Sequence, residues 1–247
     1  MELIIIGSII FVSGLVQGLS GFGSALVSIA LLPLVMDFKM VVPFIAVNSL
    51  IVSIINYHSV RSHFSIKDFK SLLIGAIIGA PIGIVILKFV NPDITKTILG
   101  ALIFTYSLYC LFQKHTQIVK LKPIWAYISG LIAGILGTSC TVNGPPVVIY
   151  LTKKYEDKHK IKAILAGFFI AAGLVNILVF AVNRLYTFEV CKYIAGFLIF
   201  ILLGVFTGKH YYNKINHELF KKIIYVFLLL SGMSLFWGSI SKLVVKL

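Results

Sequence analysis

Charge is scarce in this chain. Asp, Glu, Lys and Arg make up 12% of its 247 residues against 59% hydrophobic, and the mean hydropathy is +1.03. A soluble domain carries about 25% charged residues, so too little polar surface is on offer here for life in water. Acidic residues are scarcer still. The eight carboxylates, from Glu2 to Glu218, sit at the ends of apolar runs or in the links between them. None is placed for a proton or sodium relay inside a membrane, and none pairs with another for acid–base catalysis. The three cysteines, Cys110, Cys140 and Cys191, are odd in number and lack metal-ligand spacing, which excludes a disulfide framework and leaves no metal or cofactor to expect. No polar stretch is long enough for a linker or a separate soluble domain. The start, Met1-Glu2-Leu3, has no basic region, so a cleaved signal peptide is not expected.

Basic residues are what charge there is. The net charge of +14 would point to nucleic acid in a soluble protein, but Lys and Arg fall in short links between apolar runs, the richest of them only the ten residues 153–162. That is juxtamembrane placement, which sets topology and touches anionic lipid, and no nucleic-acid partner is expected. The six histidines also lie in or beside links, where solvation is the simpler reading.

Eight apolar segments span residues 3–36, 40–57, 69–90, 94–112, 124–151, 161–182, 193–208 and 219–245. Most match the roughly 20 residues of a membrane-spanning helix. The first is too long: as one helix it would measure about 50 Å against a hydrocarbon core of about 30 Å. It must tilt strongly, break or turn back. The fifth is interrupted by the stretch 137–144, which predicts flanks of roughly 12 and 7 to 11 residues, neither able to cross alone. Unwound backbone at that depth is tolerated only when buried in protein or lining a polar cavity.

The second half reads as a diverged copy of the first. Ser13, Gly14, Leu15, Gly18 and Gly21 meet Ser129, Gly130, Leu131, Gly134 and Gly137 at a shift of 116; after four extra residues, expected inside the second break, Asn56 meets Asn176 at 120, and Gly79 and Gly83 meet Gly204 and Gly208 at 125. The expected organisation is therefore an all-α integral membrane protein of two homologous repeats, 1–116 and 117–247. Charge in the links bears on their geometry. If all eight segments cross, the two faces receive 10 and 12 Lys plus Arg; if the first and fifth enter and leave on one face, the split becomes 7 against 15. The positive-inside rule favours the second arrangement, with segments 1 and 5 broken or re-entrant near the bilayer midplane, both termini outside, and the repeats inverted. Such a duplication is the usual pointer to a transporter whose site lies between the repeats.

The stretch GLSGFGSAL at residues 18–26 with LLP at 31–33, together with TSCTVNGPPVVIYL at 138–151, resembles the sulfite exporter TauE/SafE family. The eight-segment pattern and the duplication fit as well, so the resemblance covers nearly the whole chain. It implies transport, in the cell membrane, of small sulfur-containing anions, with sulfite and organosulfonates such as sulfoacetate as candidates. One departure is the Thr-Ser-Cys-Thr-Val-Asn run before Gly-Pro-Pro, where the wider family is richer in glycine; it leaves the substrate open.

A small oxyanion crossing a bilayer needs donors in place of its hydration shell, and the N-terminus of a half-helix supplies freed N–H groups with the positive end of its dipole. Gly21, Phe22, Gly23 and Ser24, and Asn143 and Gly144 followed by two prolines, both suit the start of such a half-helix. Hydroxyl and amide groups on Ser20, Ser24, Ser139, Thr141 and Asn143 could complete the shell, while Gln17 just before the first break suits a functional or gating role. Close packing of helices on small residues is the plainer reading of the same glycines. Asn56 and Asn176 read equally as an interhelical hydrogen-bonding pair or as site contacts. Cys140 is either a substrate contact or a small apolar filler. The glycines at 75, 79, 83, 204 and 208 read as packing faces. The expected partners are a small anionic substrate and membrane lipid, with homodimerisation open. A carrier of another small solute is the first rival reading, and a membrane-embedded hydrolase, lacking a nucleophile–base pair, the second.

Overall fold

The computed structural model describes residues 2–58, 61–112, 121–155, 157–212 and, beyond these, 226, 229, 230, 232, 233 and 236–238. The eighth apolar segment falls largely outside the described residues, as does the side chain of Ser20. Nine α-helices are present among the described residues: α1 (Glu2–Ser20), α2 (Ser24–Leu31), α3 (Phe38–Tyr57), α4 (Ile66–Phe89), α5 (Pro92–Phe112), α6 (Ile124–Cys140), α7 (Gly144–Lys154), α8 (Lys158–Val182) and α9 (Phe188–Tyr212). No strand occurs among them. Five helices contain stretches long and apolar enough to cross a membrane: Glu2–Leu19, Phe38–Tyr57, Phe69–Phe89, Lys160–Val182 and Phe188–Tyr211. Their unburied faces stay apolar. Ile74, Ile77, Ile78, Ile82 and Val85 on α4, and Ile199, Leu203 and Phe206 on α9, are exposed, as a protein solvated by lipid requires.

Both long segments are broken, and the breaks are short and equal in length. The first comprises residues 21–23 and the second residues 141–143. The four extra residues expected inside the second break are not there. The interruption is also narrower than the stretch 137–144. Thr138, Ser139 and Cys140 donate to the carbonyls of Gly134, Ile135 and Leu136, four residues back, at 2.7, 2.8 and 3.3 Å. Small polar side chains that return their hydrogen bonds to their own helix do not unwind it, so α6 runs on to 17 residues rather than 12. The helix α1, 19 residues and about 28 Å long, nearly matches the hydrocarbon core by itself.

Two cores hold the helices together, and each draws on both halves of the chain. Ile10, Val27, Val41, Phe44, Ile201 and Val205 bring α1, α2 and α3 together with α9. Leu72, Ala133, Val147, Leu151 and Phe168 bring α6, α7 and α8 together with α4. Between the two cores, α3 packs on α8.

Glycine makes the close contacts between the halves possible. A methyl at Gly204 or Gly208 would overlap the carbonyl oxygens of Phe11 and Leu15 on α1; a methyl at Gly79 or Gly83 would overlap those of Leu131 and Ile135 on α6. Reciprocally, Gly14 faces the carbonyl of Ile201, and Gly134 that of Ala76. Backbones this close gain dispersion contact that lipid does not offer, the usual basis of helix association in membranes. The packing reading of the glycines on α4 and α9 therefore holds. Residues 11, 14 and 15 of α1 thus have the contacts that residues 131, 134 and 135 have in α6, a constant separation of 120 rather than the 116 suggested by the glycine pattern.

Candidate functional site

Each broken helix ends in the same way. The last turn of α1 leaves carbonyls without helical partners, and the carbonyl of Gln17 accepts both from Gly21 N, at 2.8 Å, and from Asn56 Nδ2 on α3, at 3.1 Å. In α6 the carbonyl of Gly137 accepts from Thr141 N, at 2.8 Å, and from Asn176 Nδ2 on α8, at 3.1 Å. Both asparagines reach back 39 residues to their carbonyl. They are therefore interhelical ties, and Asn176 also lines the cavity described next.

The backbone conformations at the breaks differ in their demands. Gly21 and Gly23 have φ of 82° and 101°, left-handed values that glycine adopts without cost. Thr141 has φ 60°, unusual for a β-branched residue, and is held there by its hydroxyl donating to the carbonyl of Val42 at 2.9 Å. The second break thus relies on a side-chain tether where the first relies on glycine.

The breaks converge on one cavity. Its wall takes Gln17, Phe22, Gly23, Ala25 and Leu26 from the first broken segment, and Thr141, Val142, Asn143 and Gly144 from the second. The helices α3 and α8 close it with Ala46, Ser49, Ser53, Phe169, Gly173 and Asn176. It leaves about 30 Å³ for the centres of water-sized molecules, room for one or two waters. A hydrogen-bonded chain crosses its floor: Ser24 Oγ donates to Gln17 Oε1 and lies 3.4 Å from Ser49 Oγ, Gln17 Nε2 donates to Ser53 Oγ at 3.3 Å, and Ser53 donates to the carbonyl of Ser49 at 2.7 Å. Gln17, Ser24, Ser53, Thr141 and Asn176 are each at most 3% exposed. Burial without partners costs each polar group a few kcal/mol, so this chain keeps a polar cavity stable inside an apolar protein.

The two half-helices do not offer equal chemistry. The first turn of α2, Ser24-Ala25-Leu26, carries three backbone N–H groups with no acceptor inside the helix. The first turn of α7 is Gly144-Pro145-Pro146, and only Gly144 has an N–H to give. Backbone donors facing this place therefore come mainly from α2, while α7 offers the positive end of its dipole, with Thr141 and Asn143 just before it.

Of the residues singled out from the sequence, Gln17, Phe22, Gly23, Thr141, Asn143, Gly144 and Asn176 line the cavity. Ser24 stands in its hydrogen-bonded floor. Gly21, Asn56, Ser139 and Cys140 are not among the lining residues: the first two shape the break, and the last two turn back on α6. Ser20 lies outside the described side chains. Ser49 and Ser53 went unnoticed in the sequence, although with Asn56 they form a polar stripe at spacings of four and three on the otherwise apolar α3, a legible signal of one helix face. A second, larger cavity of about 580 Å³ lies among α5, α6 and α7, with an almost wholly apolar wall that includes Leu102, Trp125, Ile132 and Pro146. It suits hydrocarbon rather than an anion.

A helical protein crossing the membrane several times, with a small polar cavity where two broken helices meet, has the form of a solute transporter. A family model, sulfite exporter TauE/SafE, matches residues 6–235, and the chain belongs to that family. No curated protein and no solved structure matches it.

Proposed function

We propose that this protein exports a small sulfur-containing anion, sulfite or an organosulfonate such as sulfoacetate, through the cavity at the meeting of the two breaks. One observation carries the reading. Two helix breaks 120 residues apart in sequence line a single cavity with polar side chains in its wall, and one of them places there the start of a half-helix, whose first N–H groups have no acceptor within the helix. Oriented backbone dipoles bind an oxyanion without the tight ion pair a fixed cation would make, which suits a solute that must also leave.

The matched ties at Asn56 and Asn176, and the constant separation of 120 between α1 and α6, support descent of the two halves from one repeat. With the charge bias in the links, they favour inverted repeats, 1–116 and 117–247, in a cell membrane with both termini on the outer face. The cavity has little room, so release requires one repeat to rock against the other, with α3 and α8 as the sliding surface. An interior-negative potential favours outward movement of an anion by about 2.3 kcal/mol per charge per 100 mV, so export needs no coupled ion.

The test is charge movement across proteoliposomes of the purified protein on adding sulfite, with sulfoacetate, sulfate and chloride for comparison. Potential-sensitive sulfite current, reduced in a Gly144→Val variant that remains folded, is the expected result. Flux that requires a sodium or proton gradient and ignores the potential would sink the electrogenic reading.

A further inference from the structure

The larger cavity, of about 580 Å³, is almost wholly apolar in its wall, yet its two ends differ. Three helices line it, with Leu99 to Tyr109 on α5, Trp125 to Leu136 on α6 and Pro145 to Lys153 on α7. On each helix the lining residues recur at three and four, so the cavity follows one face of each. At about 1.5 Å per residue these stretches are about 12 to 16 Å long, close to half of a hydrocarbon core of about 30 Å. One leaflet has that depth. The deep end is formed by Leu99, Leu136, Val142 and Pro145, beside the second break. The other end has Tyr109, Trp125 and Lys153, the aromatic and basic residues that gather where membrane meets water. Lys153 Nζ stands 5.9 Å from the centroid of the Tyr109 ring, which sets the ends of α5 and α7 at one level. The next residue, Lys154, donates to the hydroxyl of Tyr150, another wall residue, at 2.8 Å. Leu102, Tyr109, Trp125 and Ile132 are each 39–49% exposed, so the space opens sideways toward lipid. Gly232 and Phe236 of the eighth apolar segment pack on α5 at Gly100 and Phe104, and none of that segment's described residues lines the cavity.

We propose that this cavity holds one acyl chain of an anionic phospholipid, whose phosphate meets Lys153 at the interface. Only residence in a membrane is required for this, not transport of any particular solute. A hydrocarbon chain regains the dispersion contacts that so large an apolar space would otherwise forfeit. The space is one leaflet deep and ends at an ammonium, so chain and charged head are met in the order in which a phospholipid presents them. Lysines at that level favour anionic headgroups. A second copy of this chain, at net charge +14, is the poorer match for that end. Val142 also belongs to the wall of the polar cavity, so the tip of the acyl chain abuts the back of the second break. The plainer role for Tyr109, Trp125 and Lys153 is that of interfacial anchors. Anchors touch whichever lipid is nearest, whereas a site prefers one headgroup and depends on Lys153 among the lysines around it.

The experiment reads quenching of Trp125 fluorescence by lipids with brominated chains. The other tryptophan, Trp237, is removed by Trp237→Phe, and this full-length protein serves as the reference. It is placed in phosphatidylcholine vesicles that carry a minor fraction of brominated phosphatidylglycerol or, for comparison, of brominated phosphatidylcholine. Phosphatidylglycerol is expected to be favoured beside Trp125 about fivefold, the effect of one lysine near a charged headgroup, and its excess quenching to level off as its fraction rises. Lys153→Gln is expected to remove the excess and Lys153→Arg to keep it. Lys122→Gln, close to the start of α6 but outside the wall, is expected to leave it unchanged. Leu102→Phe combined with Ile132→Phe, at two part-exposed wall positions, is expected to fill the space and lower the excess. Each protein is first shown to be monodisperse. If Lys153→Gln does not fold, the filled variant and the comparison of the two lipids in the reference protein decide. Equal quenching by the two lipids overturns the site. So does an excess that survives Lys153→Gln, that Lys122→Gln removes as fully, or that the filled variant leaves untouched. Trp125 shielded from both lipids, in a protein that cross-links as a dimer, makes a second copy the occupant and overturns it as well.

Discussion

At the scale of single residues, the two breaks answer differently to the same change. Gly23 has φ 101°, so Gly23→Ala forces a side chain into left-handed backbone at a cost of about 1–2 kcal/mol. Gly144 lies at the start of α7 without that constraint, and a methyl there meets nothing nearer than Phe169 at 3.6 Å. Thermal unfolding in detergent should therefore show Gly23→Ala destabilised and Gly144→Ala close to wild type, although Gly144→Ala intrudes on the cavity and should slow transport. The asparagine ties make a second pair. Removing either amide costs a buried carbonyl one of its two donors, so Asn56→Ala and Asn176→Ala should each lose about 1–3 kcal/mol. Their losses should be similar because their geometry is. Only Asn176 lines the cavity, so only its variant should also alter transport when assayed well below its melting temperature. A transport defect in Asn56→Ala of the same size would place that residue in the site as well.

Between elements, stability depends on backbone approach. The pairs of α1 with α9 and of α4 with α6 meet at glycines whose would-be methyl overlaps a carbonyl of the partner. Gly79→Val and Gly204→Val cannot be accommodated without parting the helices, and each should cost at least about 1–3 kcal/mol. Gly196, also in α9, has nothing within 4 Å of a would-be methyl. Gly196→Ala should instead stabilise by about 0.4–1 kcal/mol, through the unfolded chain and helix propensity. Melting temperatures of the three variants in one detergent check the contrast. These elements were legible in the sequence as apolar runs with glycines at four-residue spacing. The end of α6 was not, because a stretch of Gly, Thr, Ser, Cys, Thr, Val and Asn suggests unwinding, whereas the side chains of Thr138, Ser139 and Cys140 fold back on carbonyls of their own helix and its first four residues stay helical.

For the whole molecule, both cores take residues from both halves of the chain, so neither half holds a complete core of its own. Topology is the property to test at this scale. If both termini lie outside, as proposed, the link before α9 lies on the outer face and the link carrying Lys122 on the inner. Cys191 is exposed and Cys140 buried. In a Cys110→Ser background, a membrane-impermeant maleimide applied to intact cells should label Cys191. In a Cys110→Ser, Cys191→Ser background, a cysteine introduced by Lys122→Cys should react only after permeabilisation. The reverse pattern would invert the protein, and labelling of both from outside would remove the two-sided arrangement altogether.

The sequence alone determined the solvent of this protein, the positions of the five helices long and apolar enough to cross a membrane, the existence of two breaks and the family, because composition, run length and glycine placement are local properties of the chain. It also nominated part of the cavity wall, since Gln17, Phe22 and Gly23 at the first break and Thr141, Asn143 and Gly144 at the second interrupt apolar runs. Three matters depended on the tertiary structure. The register of the two halves is set by which backbone carbonyl each glycine faces across a helix pair, not by glycine matched to glycine. The hydrogen-bonded floor joins Gln17 and Ser24 to Ser49 and Ser53, more than 20 residues away, because α1, α2 and α3 pack together. The placing of Lys162 on Gly21 follows from docking α8 against the first break, a contact across 141 residues that no local pattern encodes.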